Sequence, residues 1–238
     1  MSVAIVTGAS RGLGAAVSTG LAAQGWSLVI DGRDAEALAA AASRLDEVSH
    51  RGTTVRAVQG DITDAAHRTA LVAAAASLGG LDLLVNNAGT LGASPLPPVA
   101  DYPLDALRVA LEVNLVAQLG LIQAALPLLA ASERPRLINV TSDAAVEPYE
   151  GWGGYGAGKA ALEHLGAVLA VEQPSLTVWT VDPGDLRTAM HQEAFPDEDI
   201  SDRPEPRTVV PAFLDLIDSD RPSGRYRAGE LLTAGATS

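Results

Sequence analysis

Tyr155 and Lys159 stand four residues apart in GGYGAGKAALEHL, where the chain begins to look helical. Positions i and i+4 share one face of a helix, so a phenol and an ammonium would sit side by side. A free phenol has a pKa of about 10, too high for easy ionisation near neutral pH. Lowering it by roughly three units takes about 4 kcal/mol of differential stabilisation. One cation roughly 4 Å away supplies energy of that order at an effective dielectric near 20. The pair could move a proton, although the same spacing also occurs in ordinary helix starts.

Other candidates lie at the ends of short apolar runs. VAIV leads into TGASRGLG, with glycines at 8, 12 and 14. Glycines permit a tight turn and let backbone N–H groups approach a pyrophosphate at a helix N-terminus. The spacing is G-x-x-x-G-x-G rather than G-x-G-x-x-G. NNAG (86–89) follows LDLLV, and Thr141-Ser142 follows RLINV. Capping amides and a turn hydroxyl are the plain readings of these. In open α/β sheets, however, ligands bind beyond the carboxyl ends of the strands, so Gly8, Asn87 and Ser142 would converge.

The elements that must position these residues follow from alternation. Runs at 3–6, 28–30, 55–58, 83–85, 136–140 and 177–181 suit buried strands. Ala- and Leu-rich stretches at 13–23, 34–49, 64–78, 104–130 and 157–172 suit helices. The alternation predicts a doubly wound α/β fold: a parallel sheet with helices on both faces. We read residues 1–238 as one domain. Residues 191–208 are acidic and Pro-rich, as a mobile loop would be. The segment 185–208 is therefore expected to act as a substrate lid.

Composition narrows the chemistry. The 238 residues are 47% hydrophobic, enough for a core, and there is no Cys. Disulfides, thiol catalysis and Cys-ligated zinc are excluded. The four His residues show no metal-ligand spacing, so no metal is expected. The formal charge of −13 without a basic run argues against nucleic acid or an anionic membrane as partner. The N-terminus lacks the pattern of a signal peptide, and a cytoplasmic location is expected. Val113–Ala131 has no charge, but Asn114, Gln118, Gln123 and Pro127 interrupt it. A buried or interface helix is expected there rather than a membrane span.

TGASRGLG, NNAG, Ser142, Tyr155-x-x-x-Lys159 and Pro183-Gly184, in this order and spacing, resemble the classical short-chain dehydrogenase/reductase family over residues 2 to about 190. The resemblance implies a Rossmann-type sheet of about seven strands in order 3-2-1-4-5-6-7. It implies hydride transfer between a nicotinamide and a carbonyl or secondary alcohol. Its catalytic set matches Asn114, Ser142, Tyr155 and Lys159. Tyr155 is then the general acid or base, Ser142 orients the substrate oxygen, and Lys159 serves both Tyr155 and the nicotinamide ribose. Asn114 would help hold a proton-relaying water. A non-catalytic dinucleotide sensor, or a dehydratase or epimerase of related type, are the alternatives.

By the same resemblance, Gly8, Ser10, Arg11, Gly12, Leu13 and Gly14 form the phosphate loop. Asp61 and Ile62 flank the adenine, Asn87, Ala88 and Gly89 line the middle of the cofactor, and Pro183, Gly184 and Thr188 meet the carboxamide. In LVIDGRDAE, Gly32 falls at the position of an acid in NAD enzymes, and Arg33 follows where a 2′-phosphate would be met. Arg11 could close on that phosphate as well. NADP(H) is expected over NAD(H), with Asp31 as the competing ribose acceptor or as a partner of Arg33. Asp143, Glu147, Tyr149, Trp152, Leu186, Met190, His191 and Phe195 are the substrate-pocket candidates, and the aromatic pair suggests an apolar or aromatic carbonyl. Apolar helices at 104–130 and 157–172 point to a homodimer, with a homotetramer as second choice because the C-terminal tail is short and polar.

Overall fold

The computed structural model describes residues 2–50 and 52–235. Strand β1 (Val3–Val6) leads into α1 (Gly12–Ala23), β2 (Ser27–Gly32) into α2 (Ala35–Val48), and β3 (Val55–Gln59) into α3 (Ala65–Ser77). β4 (Leu83–Asn86) precedes α4 (Leu104–Leu111), a π turn at Glu112–Val116 and α5 (Ala117–Leu129). β5 (Arg136–Val140) leads to α6 (Gly153–Glu172), and β6 (Thr177–Asp182) to α7 (Ala189–Ala194) and α8 (Val210–Asp218). β7 (Gly224–Arg227) and α9 (Ala228–Gly235) come last. Among the described residues the strands form one parallel sheet in the order β3-β2-β1-β4-β5-β6-β7.

Successive strand side chains point to opposite faces, and the core divides accordingly. Ala4, Val6, Leu28, Ile30, Val85, Val140 and Val181 pack with α1, α2 and α8. Val3, Ile5, Val29, Leu84, Leu137 and Val178 pack with α3 and α5. Helix starts are set by side-chain caps: Asp34 accepts from Ala37 N, and Asp64 from Ala66 N. Such caps satisfy amides that have no partner inside the helix.

The sequence pattern missed several features. α6 begins at Gly153, four residues before the apolar periodicity. Its first turn is glycine-rich because space is lacking: a Cβ on Gly156 would lie 2.3 Å from Ala144 O. The stretch 104–130 is split by the π turn, which sits at Asn114. Its helix Leu104–Leu129 is long and apolar enough to cross a membrane by length and composition alone, yet Leu121, Ile122, Ala125 and Leu129 are buried against the sheet. Part of 191–208 is helical, in α7 and in a 3-10 turn at Pro206–Thr208. α8 had no place in the expected helices, although it buries Phe213, Leu216 and Ile217 completely.

Phe213 joins α8 to the face that carries α1. Phe213→Ala is expected to destabilise the protein by about 3–5 kcal/mol through the lost burial and the cavity left behind. Urea unfolding followed by circular dichroism measures it; a loss below about 1 kcal/mol would show that α8 is not a core element.

Candidate active site

The carboxyl ends of β1, β4, β5 and β6 share one edge of the sheet, and β1 is where the strand order reverses. A crevice forms at such a point. Gly12 opens α1 with φ +60, a left-handed conformation that favours glycine. Gly14 faces the turn itself: a Cβ there would lie 2.5 Å from Asn87 Nδ2 and 2.6 Å from Gly8 O. The turn is thus packed from below and leaves its upper side to the crevice.

Thr7 joins the two strand ends that flank the crevice. Its hydroxyl accepts from Asn87 N at 2.9 Å and Ala88 N at 3.0 Å. Asn87 Nδ2 donates to Thr7 O at 2.8 Å. Asn86 lies beneath, donating to Asn139 Oδ1 at 3.0 Å. Sequence reasoning passed over Thr7, whose partners are some eighty residues away.

Asp31 is buried and fully engaged. Gly8 N donates to its Oδ1 at 2.6 Å, and His67 Nε2 lies 3.0 Å from its Oδ2. Of the two roles left open for Asp31, the pairing with Arg33 is not found: the carboxylate faces His67 on α3 and the Gly8 amide, while Arg33 is exposed on the crevice. His67 also escaped notice in the sequence, since a lone His at a helix start carries no local signal. Asp61, near Arg33, is held below the ordinary carboxylate range by the Thr63 N–H at 2.9 Å.

The proton-handling candidates meet further along the same crevice. Lys159 is buried and donates from Nζ to Val140 O at 2.8 Å. Nζ lies 5.6 Å from the centre of the Tyr155 ring. Burial pushes the Lys159 ammonium down to about 8, and the Glu163 carboxylate works against that. Tyr155 is also buried; burial first, then the charges of Asp182 and Asp143, push its phenol above the ordinary value. Ser142 Oγ donates to Asp143 Oδ1 at 2.9 Å, and Tyr149 OH donates to Asp143 Oδ2 at 3.0 Å. Asn114 satisfies both ends of its amide on Thr90: Thr90 N donates to Oδ1 at 2.9 Å and Nδ2 donates to Thr90 O at 2.8 Å. The π turn around it is of a kind frequent at functional sites.

A cavity of about 750 Å³ connects these groups. Gly8, Ser10, Arg11, Gly12 and Leu13 line one end with Arg33, Asp61 and Ile62. Asn87, Ala88 and Gly89 line the middle, and Ser142, Tyr155, Lys159, Pro183, Gly184 and Thr188 the other end. Gly14 and Asn114 stand behind the wall. Among the substrate-pocket candidates, Trp152, Leu186, Met190 and His191 line the cavity. Phe195 backs them, with its ring centre 5.9 Å from Trp152 and 5.0 Å from His191. Glu147 is exposed and does not line it. Leu91, Val109 and Val113 also line it, although no local pattern singles them out. No cluster of His and acidic residues able to hold a metal occurs among the described residues.

The short chain dehydrogenase model matches residues 2–199. YciK of Escherichia coli K12, an uncharacterized oxidoreductase, is 33% identical over 92% of this chain and 86% of its own length. Its solved structure has a TM-score of 0.88, covering 95% of this chain and 94% of that one. The rhamnolipids biosynthesis 3-oxoacyl-[acyl-carrier-protein] reductase of Pseudomonas aeruginosa is 32% identical over 99% of this chain and 88% of its own. A short chain dehydrogenase from Shigella flexneri, solved in complex with NADP, is 30% identical with a TM-score of 0.88, covering 96% of this chain and 97% of that one.

Proposed function

The chain belongs to the short-chain dehydrogenase family, and we propose that it is an NADP(H)-dependent oxidoreductase interconverting a carbonyl and a secondary alcohol. The meeting of Ser142, Tyr155 and Lys159 with the glycine turn in one cavity carries this reading. The bound nicotinamide supplies or accepts the hydride. Tyr155 gives its phenolic proton to the carbonyl oxygen in reduction and takes it back in oxidation. Its upward-shifted pKa in the free protein keeps that proton in place for reduction. The Lys159 ammonium favours the phenolate in the reverse direction. Ser142 turns its hydroxyl from Asp143 to the substrate oxygen and orients it.

The donor set favours a 2′-phosphate. Asp31 lines the cavity, but each of its oxygens already has a partner, and Gly32 offers no side chain to a ribose hydroxyl. Arg33 and Arg11 line the adenosine end of the cavity, and two guanidiniums suit a phosphate dianion. The NADP complex of the Shigella relative accords with this choice. Trp152, Phe195, Leu91 and Met190 form one apolar cluster with Tyr155, which suits an apolar or aromatic carbonyl. Homodimerisation through α4–α5 and α6 would cover Leu104, Val116, Val168 and Val171, all exposed in the single chain. Segment 185–208 would close over substrate as a lid; its ends are held together by Arg187 N donating to Pro204 O and by the Arg187–Glu205 ion pair.

NADPH oxidation with a panel of ketones and aldehydes is the direct test. Tyr155→Phe is expected to lose at least about 10²-fold in turnover with NADPH affinity little changed; near-normal turnover would remove Tyr155 from its role. Wild-type catalytic efficiency should be higher with NADPH than NADH, and Arg33→Ala should cut the ratio by about tenfold or more, the scale of one lost charged contact. A preference for NADH, or an undiminished ratio in the variant, would defeat the phosphate assignment. Amide hydrogen exchange in 185–208 should be the fastest in the free protein and should slow when NADP and a turned-over substrate are added. Equal exchange in both states would rule out a lid.

A further inference from the structure

Arg225 sits on the edge strand β7, yet its side chain is only 25% exposed. Nε donates to Glu163 Oε1 at 3.2 Å. Nη2 donates to Asp182 Oδ2 at 3.1 Å and to the main-chain oxygen of Ser142 at 3.3 Å. Glu163 lies one helical turn beyond Lys159 and also accepts from Thr141 Oγ1 at 2.6 Å. Asp182 ends β6, and its Oδ1 accepts from Gly184 N at 3.0 Å. One guanidinium therefore joins the ends of β5 and β6 to the helix that bears Tyr155 and Lys159.

We propose that Arg225 is a positioning residue of the active site: it fixes the peptide carbonyl of Ser142 and neutralises Glu163 and Asp182, the carboxylates beside Lys159 and Tyr155. This rests on the catalytic reading of Ser142, Tyr155 and Lys159 given above. Arg225 does not line the cavity and acts through its partners. Holding the sheet edge does not call for it, since β7 already pairs with β6 along the backbone from Trp179 to Asp182. Nor does stability, because a buried ion pair is often matched by apolar packing. What an apolar side chain cannot supply is a planar set of donors that reaches three acceptors at once.

The electrostatic consequence has a definite sign. Glu163 pulls the Lys159 pKa up against the effect of burial. Asp182 and Asp143, after burial, push Tyr155 up. The charged or titratable groups around the pair are Glu163 on α6, Asp143 after β5, Asp182 and Asp185 at and beyond the end of β6, His191 on α7, and Arg225 and Arg227 on β7. Removing the Arg225 cation leaves Glu163 and Asp182 less compensated, so both Lys159 and Tyr155 bind their protons more tightly.

Lys159 is the only lysine in the sequence, so protein grown on ¹³C-lysine gives a single side-chain ammonium titration by NMR. The cofactor-free wild type should titrate at about 8. Arg225→Met should raise the midpoint by about one unit, the scale of a lost charge neighbour, and Glu163→Gln should lower it. In the assay, Arg225→Met should reduce kcat about tenfold through misplacement of Ser142, with the NADPH dissociation constant little changed. The alkaline limb of alcohol oxidation should move to higher pH, and Arg225→Lys should recover part of the turnover. An unmoved Lys159 midpoint in Arg225→Met, or wild-type kcat in that variant, overturns the proposal. So does a kcat loss matched by lost NADPH binding, which marks a structural role only. If Arg225→Met does not fold, Glu163→Gln decides: an unmoved or raised midpoint overturns it. A wild type that turns over no carbonyl defeats the oxidoreductase reading, while the Lys159 titration still tests Arg225.

Discussion

The crevice exists because β1 pairs in parallel with β2 on one side and β4 on the other. The chain leaving β1 must then turn over the gap between two diverging connections. Three small features keep that gap open and rigid. Gly14 lets the turn settle onto Asn87, Thr7 ties β1 to the residues after β4, and Asp31 holds the Gly8 amide from below. Thr7 and Gly14 do this without lining the cavity. Each removes a freedom the turn would otherwise have, which lowers the entropy lost when a ligand is ordered there.

At the other end of the crevice, Tyr155 and Lys159 are held out of water. Lys159 is buried against a carbonyl, Tyr155 against Trp152 with ring centres 5.6 Å apart. Isolated buried charges are costly unless paired or hydrogen-bonded. The carboxylates that could offset them are partly taken by others: Asp143 by Ser142 and Tyr149, Glu163 by Thr141 and Arg225. The proton affinities of the phenol and ammonium therefore depend on a shell of second partners as much as on each other.

The fold was legible where the chemistry is local. Strand alternation, the glycine turn and the Tyr-to-Lys spacing are all contained within a few residues, so their signals survive in sequence. The missed features are contacts between distant segments. His67 meets Asp31 across 36 residues and Arg225 meets Ser142 across 83. A lone His or Arg in such a place has the same local pattern as a solvated one. The start of α6 precedes its apolar periodicity because its first turn is shaped by crowding against Ala144 and Tyr102. α8 is hidden in the sequence because its segment follows a Pro-rich acidic stretch that suggests only loop.

A cationic chain inventory of fifteen arginines and one lysine also fixes how this protein meets a protease. An enzyme that cuts only after lysine has a single bond to attack, inside α6, where Lys159 is buried and the backbone is helical. The folded molecule should be cut only from states in which α6 has opened, and one cut yields two fragments and no ladder. When reclosing outpaces cleavage, the rate of that single event tracks the free energy of opening. Its one lysine thus makes the chain its own gauge of how often α6 comes undone.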